Sequence, residues 1–545
     1  MVPVVLAPEW FDPGMPNREH CVLEPLLRVA AQECPDRIFA VFGDGQQWSF
    51  SEVYRRARHR AAGLQKLGVR RGDRVLVWMP NGPGHLITWF AANLLGACFV
   101  PVNPAYRGKL LSHVIESSEA KIMVAHADLV ERLADIDTSQ LSTVVAGTSS
   151  PDIEHKQIRF EAETMLDQAG DCVDMVDDLQ PWDLQSMLYT SGTTGPSKGV
   201  LSSYFHQYTI ATVIHGHMSS SDRILVNAPL FHAGGTGAVT AALIYRGSIA
   251  LVDAFNAADF WQTISRTGAT LTSGLLGSMA PYLAKTAVTT DAGVGKLRRT
   301  HFYPVSRDTV NLAKQCDFEY FSGYGMTELP FVLVTDLNTA VLGSCGRPRS
   351  GVECRLVDEY DHSVDTGEVG ELIVRTEHTW SFSHGYNGMP TETSKAWRNG
   401  WFHSGDLFRQ DDDGNFYFVD RKKDAIRRRG ENISSQEVES VVYEFPAIQE
   451  TAVLGVPGEY GEDEVMLVVR VREGEQFKPM ALFEFLRPRM AHFMLPRYIR
   501  IVQDFPKTPT NKIQKNLLRD EGVTKDTWDR EKAGIQVKRE RITPN

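Results

Sequence analysis

Paired cysteines are missing from this sequence. The seven present, Cys21, Cys34, Cys98, Cys172, Cys316, Cys345 and Cys354, are scattered without a CxxC spacing, which offers neither a zinc knuckle nor a redox dithiol. So sparse and odd a set fits a reducing compartment, and a cytoplasmic location is expected. Long apolar runs are missing too. The most apolar stretch, residues 86–102, is broken by Asn93, Gly96 and Pro101, short of the ~20 apolar residues of a membrane-spanning helix. It reads instead as a buried helix followed by a buried strand. The opening MVPVVLAPEWFDPG has no basic cluster, and its prolines and acids interrupt any leader core, so a secretory signal is not expected. Positive charge is in deficit, with 57 lysines and arginines against 68 acids and a formal charge of −11. Such a field repels polyphosphate backbones and anionic bilayers, which argues against a nucleic-acid or membrane-surface partner, while a local basic pocket can still hold one small anion. The sixteen histidines include no HExxH, so a zinc peptidase helix has no candidate.

What is present is size and ordinary globular composition. At 545 residues, with 42% hydrophobic and 23% charged side chains, the chain exceeds one small module and can bury a large core. Its first two-thirds alternate helical patterns (50–67, 84–95) with short β-rich runs (74–79, 99–102). That alternation predicts βα units around largely parallel sheets, an α/β class. A strand at 186–189, a Gly/Thr/Ser loop and a helix over 203–218 follow. From about residue 353 the texture changes to CRLV and GELIVR runs punctuated by DTGEVG and DDDGN, which predicts a β-rich subdomain of antiparallel hairpins. The DDDGN run is a hairpin turn rather than an EF-hand, because setting Gly414 on the loop glycine puts Arg409 at the first ligand position. The stretch DRKKDAIRRRGEN at 420–432 follows a strand and precedes a helical pattern at 435–444, which marks a domain junction. The expected organisation is a large N-terminal domain over 1–422, built of α/β subdomains plus the β-rich one. A small mobile α+β C-terminal domain over 423–520 and a loosely attached charged tail over 521–545 complete it.

The strongest local signal is YTSGTTGPSKG at 189–199. Gly192, Gly195 and Gly199 permit close backbone approach, while the hydroxyls of Thr190, Ser191, Thr193 and Thr194, main-chain amides and the Lys198 ammonium make a dense set of phosphate donors. A polyphosphate suits it. It is not a Walker A loop, because Ser197 precedes the lysine and Gly199 follows it.

This loop resembles the phosphate loop of the adenylate-forming superfamily of acyl-CoA ligases, luciferases and peptide-synthetase adenylation domains. Further motifs of that family follow in order: PLFHAGG at 229–235, GYGMTE at 323–328, WFHSGDL at 401–407, DRKKDAIRRRGENIS at 420–434 and PKTPTNKIQK at 506–515. The resemblance spans nearly the whole chain, and FYFVDR, RRGEN and TNKIQKNLLR are most similar to the crotonobetaine/carnitine-CoA ligase group. It implies an ATP-dependent acyl-CoA ligase. A carboxylate is a poor electrophile, so ATP first converts it to an acyl adenylate with loss of pyrophosphate, and the CoA thiol then displaces AMP. ATP, Mg2+ and CoA are the implied cofactors and co-substrates, and a small-molecule carboxylic acid is the partner. Oligomeric state is left open.

Residue by residue, the resemblance places Thr190, Ser191, Gly192, Thr193, Thr194, Gly195 and Lys198 on the ATP phosphates. Ser322, Gly323, Tyr324, Gly325 and Met326 fall on AMP, with Tyr324 offering adenine a flat face. Thr327 offers a hydroxyl to the α-phosphate, and Glu328 a hard oxygen to Mg2+. Asp406 can accept from both ribose hydroxyls, with Arg421 as a second sugar contact. Lys512 matches the lysine that reaches from the C-terminal domain to the carboxylate and α-phosphate, where its charge stabilises adenylation. With Thr190, Glu328 and His232 it forms the implied catalytic set. His232, Gly234 and Phe321 fall on the acyl substrate, His232 as a gating ring. Lys423 matches the hinge about which the C-terminal domain rotates, Gly430 the pantetheine tunnel, and Arg427 is the candidate for a CoA phosphate.

Two departures stand out. The glycine common before the family lysine is Asn511, and the small Gly-Ala-Pro-like run of the adenine wall is replaced by Phe302-Tyr303-Pro304-Val305-Ser306. Either the wall is remodelled or the acyl pocket is altered. An enzyme loading a carrier-protein phosphopantetheine and a non-catalytic acyl-nucleotide binding protein are the alternatives.

Overall fold

The computed structural model of the chain describes residues 15–134, 136–147, 158–167, 176, 178–190, 197–253, 256–289, 295–422, 426–428, 431–433, 435–458, 463–490, 494–507, 512–535 and 537. Strand side chains alternate between two faces, and Arg74–Trp78 shows the consequence. Val75 and Val77 enter one buried cluster, whereas Leu76 and Trp78 enter another on the opposite side. This strand is central in a seven-stranded sheet ordered Arg159–Glu161, Thr143–Ala146, Ile122–Ala125, Arg74–Trp78, Cys98–Pro101, Leu184–Tyr189, Gly199–Ser203, parallel except at its last pair. A second, eight-stranded sheet runs parallel through Ile38–Phe42, Ser248–Leu251, Arg223–Val226, Leu271–Thr272 and Arg299–Tyr303, with Glu319–Phe321 beside the last. The helices Phe50–Lys66, Pro83–Leu94, Tyr204–His215 and Ala233–Ile244 share one core with both sheets. Buried helices and parallel strands covered on both faces account for the α/β class.

The helix and strand expected within residues 86–102 are present as Pro83–Leu94 and Cys98–Pro101. Asn93, which interrupts the apolar run, is buried but satisfied. It accepts from Trp89 Nε1 at 2.9 Å and donates to the carbonyls of Ala97 at 3.1 Å and Gln185 at 2.9 Å. One element was not foreseen. Gly199–Ser203, read as the end of a loop, is a strand antiparallel to Leu184–Tyr189. Its last residue, Ser203, caps the following helix by accepting from His206 N at 3.0 Å. A glycine, two hydroxyls and only two aliphatic residues gave that strand no alternation to read.

The β-rich subdomain is an antiparallel sheet of Val352–Val357, Val369–Thr376 and Trp401–Gln410, with Phe416–Arg421 paired to the last. The acidic run joins the final hairpin, Asn415 N donating to Asp411 Oδ1 at 2.8 Å. Beside it the short hairpin of Gly323–Met326 and Leu329–Val334 carries Thr327 and Glu328 in its turn. Downstream, Ile448–Pro457, Asp463–Val471, Tyr498–Ile501 and Trp528–Asp529 form a four-stranded sheet covered by the helices Ser435–Val442, Pro479–Leu486 and Lys515–Glu521. The described part of 521–545 is therefore not a loose tail. Trp528–Asp529 is a strand of that sheet, and Arg530, only 3% exposed, donates its amide to Arg497 O at 2.9 Å. Its charges are paired rather than solvated, Arg497 lying 3.2 Å from Glu531 and 3.7 Å from Asp529. No helix among the described residues is long and apolar enough to cross a membrane.

Candidate active site

The register of the last β-rich hairpin sets Asp406 directly opposite Arg421, with the guanidinium Nε 3.6 Å from Asp406 Oδ1. Gly405, at φ +70°, supplies the turn in the strand that only glycine takes without strain. From the neighbouring hairpin, Tyr324 Oη donates to Asp406 Oδ2 at 2.6 Å, and its ring stands edge-on to Phe408 at 4.7 Å. Burial, and next to it the Asp406 charge, hold the Tyr324 phenol well above its ordinary pKa, so it stays a donor. Gly323 and Gly325 are sterically required, since a Cβ at either would come within 2.7 Å of Phe331, side chain or backbone. Ser322 is a structural link, its hydroxyl donating to Phe302 O at 2.8 Å. Met326 Sδ lies 3.9 Å from Tyr324 Oη, and Thr327 is half-buried in the turn.

Glu328 is 4% exposed, and Tyr386 Oη donates to its Oε1 at 2.8 Å. Burial raises the carboxyl pKa, opposed by Tyr386, Lys198 and Arg421. Lys198 Nζ lies 4.6 Å from the centre of the Tyr386 ring and 3.4 Å from Glu392. The base of the phosphate loop is closed by Thr190 N donating to Lys198 O at 3.0 Å and Lys198 N to Thr190 Oγ1 at 3.4 Å. Ser191, Gly192, Thr193, Thr194 and Gly195 lie outside the described residues, as do the hinge position Lys423 and the tunnel position Gly430. Arg427 is described only through its backbone, in the strand Ile426–Arg428. The basic cluster is not one solvated face: Lys422 is paired with Glu371 at 2.7 Å, and Arg428 is 2% exposed and paired with Glu464 at 2.6 Å.

Lys512 comes from the C-terminal unit yet acts electrically on the groups just described. Although the residue is exposed, neighbouring protein lowers the ammonium pKa, Arg421 lowers it further and Asp406 opposes them. The charge of the same lysine bears on His232, whose pKa is pushed down to about 4, by burial first and by Lys512 second. His232 precedes the helix Ala233–Ile244, its ring 4.7 Å from Phe231 and its Nε2 buried without a partner. The tight turn there needs Gly235, where a Cβ would meet Pro229 O. Gly234 differs: a Cβ there would find only ordinary contacts, 3.7 Å to Ala228 and 3.8 Å to Ser273.

Phe321 opens onto a set of rings the sequence did not bring together. Its centroid lies 5.3 Å from His301 and 5.8 Å from His217, while His301 lies 6.1 Å from His215, 6.1 Å from Phe331 and 5.0 Å from Tyr303. Burial drives these imidazoles neutral, His215 to about 3 and His217 to about 2. The run at 302–306 is divided among three tasks. Phe302 is core, packed near Phe318, Tyr303 joins the ring set, and Ser306 caps the helix Arg307–Cys316 reciprocally with Thr309. Tyr386 and Glu392 were also missed. Nothing in the sequence near Gly385 signals that this tyrosine reaches Glu328.

Residues 27–386 match the AMP-binding enzyme family and residues 437–512 the AMP-binding enzyme C-terminal domain. Feruloyl-CoA synthase of an Amycolatopsis species is 32% identical over 492 residues, covering 88% of this chain and 95% of that protein. The crotonobetaine/carnitine–CoA ligase of Salmonella typhimurium strain LT2 is 26% identical, covering 87% and 93%. Among solved structures, ATP-bound MatB from Rhodopseudomonas palustris superposes with a TM-score of 0.78 at 25% identity, covering 91% of this chain and 98% of that one. Family match, fold and the convergence of Lys198, Tyr324, Asp406, Arg421 and Lys512 agree: the chain belongs to the AMP-binding enzyme family of the adenylate-forming superfamily, and is an AMP-forming acyl-CoA ligase that uses ATP and CoA.

Proposed function

We propose that the described residues divide the two half-reactions between a nucleotide side and an acid side, with Lys512 bridging them during adenylation. This reading is supported by the place of Lys512 in PKTPTNKIQK, and its charge bears on His232 on the acid side and on Arg421 and Asp406 on the nucleotide side. There it would offset charge developing between the acid carboxylate and the α-phosphate. Asp406 would turn from Tyr324 to the ribose hydroxyls, Arg421 would hold the sugar, and Thr190 with Lys198 would take the phosphates leaving as pyrophosphate. Glu328 fits a divalent cation. It is a hard oxygen donor with Oε1 held by Tyr386, and Mg2+ commonly binds through one or two carboxylates plus the phosphates of its nucleotide. When bound, Mg2+ would neutralise charge on the phosphates. Rotation about Lys423 would then present Gly430 and Arg427 for the CoA half-reaction, in the cytoplasm, where buried thiols such as Cys21, Cys98 and Cys316 stay unpaired.

We infer that the acid carries an aromatic body. Phe321, Tyr303, Phe331 and the neutral imidazoles offer ring edges and faces, and the feruloyl-CoA synthase relative is named for an acid of this kind. Acid-dependent ATP–pyrophosphate exchange over a panel of ferulate, benzoate, a fatty acid, carnitine and malonate tests this. Exchange with the aromatic acids is expected. Exchange led by carnitine or the fatty acid overturns the substrate class, and exchange with none overturns the enzyme reading.

A further inference from the structure

Lys198 and Glu328 sit on different sheets, and residues 383–387 run between them as a strap. Ser383 N donates to Glu328 O at 3.1 Å, His384 N to Leu201 O at 2.9 Å and Asn387 N to Gly199 O at 2.9 Å, while Gly385 O accepts from Leu201 N at 3.0 Å. One segment is thus hydrogen-bonded both to the turn that carries Glu328 and to the strand that starts one residue after Lys198. Gly385 sits at φ +105°, where a Cβ would come within 2.6 Å of Thr393, and Thr393 Oγ1 accepts from Tyr386 N at 3.0 Å. Backbone and turn therefore fix the Tyr386 ring. Its hydroxyl meets Glu328 Oε1 at 2.8 Å, and its centre lies 4.6 Å from Lys198 Nζ. Glu392, already paired with Lys395 at 2.9 Å, takes the same ammonium at 3.4 Å.

We propose that Tyr386 is a positioning residue for ATP and its divalent cation: the hydroxyl fixes the Glu328 carboxylate so that its second oxygen is offered to the cation, and the ring face supports the Lys198 ammonium. Glu392 holds that ammonium until a phosphate replaces it. A phenol donating to one carboxylate oxygen stops the group from rotating, and a cation over an aromatic face stays mobile along it. Phosphate oxygens outcompete a carboxylate that is already shared with a second lysine.

The proposal rests on the roles given above to Glu328 and Lys198, so the test includes both. Binding of a fluorescent ATP analogue to the full chain is measured in EDTA and across a Mg2+ titration, with melting temperature as the fold control. Tyr386→Phe is expected to raise the Mg2+ midpoint about tenfold and to leave binding in EDTA unchanged. Tyr386→Leu should also weaken binding in EDTA, and Glu392→Gln should tighten it severalfold. A wild-type Mg2+ midpoint in Tyr386→Phe, or an equal loss in EDTA, overturns the hydroxyl's role. Leu behaving as Phe, or weaker binding by Glu392→Gln, overturns the ring's and the reserve carboxylate's. If Tyr386→Leu melts early, Phe decides the hydroxyl and Glu392→Gln the ammonium. Glu328→Gln and Lys198→Ala separate the two levels. No Mg2+ shift in the first, or no loss of binding in EDTA in the second, removes the parent roles, whereas both effects with a silent Tyr386 remove only this proposal.

Discussion

The two sides proposed for the site are built from opposite materials. On the nucleotide side, polar groups are held to one another, Tyr324 on Asp406 and Tyr386 on Glu328 by short bonds, with Arg421 3.6 Å from Asp406. On the acid side, Phe321, Phe331, Tyr303 and buried neutral imidazoles pack ring against ring, and His232 and His301 keep an Nε2 without a partner. Polyphosphate chemistry is the same whatever the acid, so its groups must be ionised and fixed. The acid side needs only shape and neutrality, and those come from packing that many sequences can supply.

If Lys512 bridges the two sides, Lys512→Ala gives the largest effect. Adenylation should slow by roughly two to three powers of ten, while thiolation of preformed acyl adenylate, followed by CoA consumption, falls much less. Equal losses with the fold intact would dissolve the division of labour. Asp406→Ala should come next, losing about one to two powers of ten in kcat/KM for ATP, the range for a hydrogen bond to a charged group. Steady-state kinetics should show the KM for the acid little changed. Gly234→Val probes the opposite side. Since the protein itself leaves room for a Cβ there, the melting temperature should hold while the KM for the acid rises roughly tenfold, in line with a few methyl groups of lost pocket. A matching rise in the KM for ATP would break the comparison.

A last expected effect, on stability rather than on turnover, is a dependence on pH. His232 and His85 are held neutral down to about 4 and His215 and His206 to about 3, against an ordinary value of 6.5. Because the unfolded chain takes up protons first, stability should be full above about pH 6.5 and decline as pH falls toward 4. Denaturant midpoints across that window measure it, and His215→Leu should flatten the slope.

What could be read in the sequence follows the same divide. YTSGTTGPSKG, GYGMTE and WFHSGDL stand out because their chemistry demands particular residues close together in the chain. The short apolar run at 74–79, set between helical patterns, announced a strand of a βα unit. Tyr303 stood out as a departure that remodels either the adenine wall or the acyl pocket. Its meeting with His301 is local, the two standing at i and i+2 on one strand, but its meeting with Phe331 joins two strands and leaves no local pattern. Tyr386 was equally silent, because what places it is main-chain bonding between distant segments. The charged ending was misjudged because composition reports solvation and cannot report pairing such as Arg497 with Glu531.

That ending has a practical side. The family match on the C-terminal unit stops at residue 512, yet Trp528–Asp529 completes its sheet. Trimming to the homologous boundary would bare the ladder of Tyr498–Ile501 as an open β-edge, the kind of surface on which chains add to one another and precipitate. The last strand thus guards solubility while standing outside the chemistry.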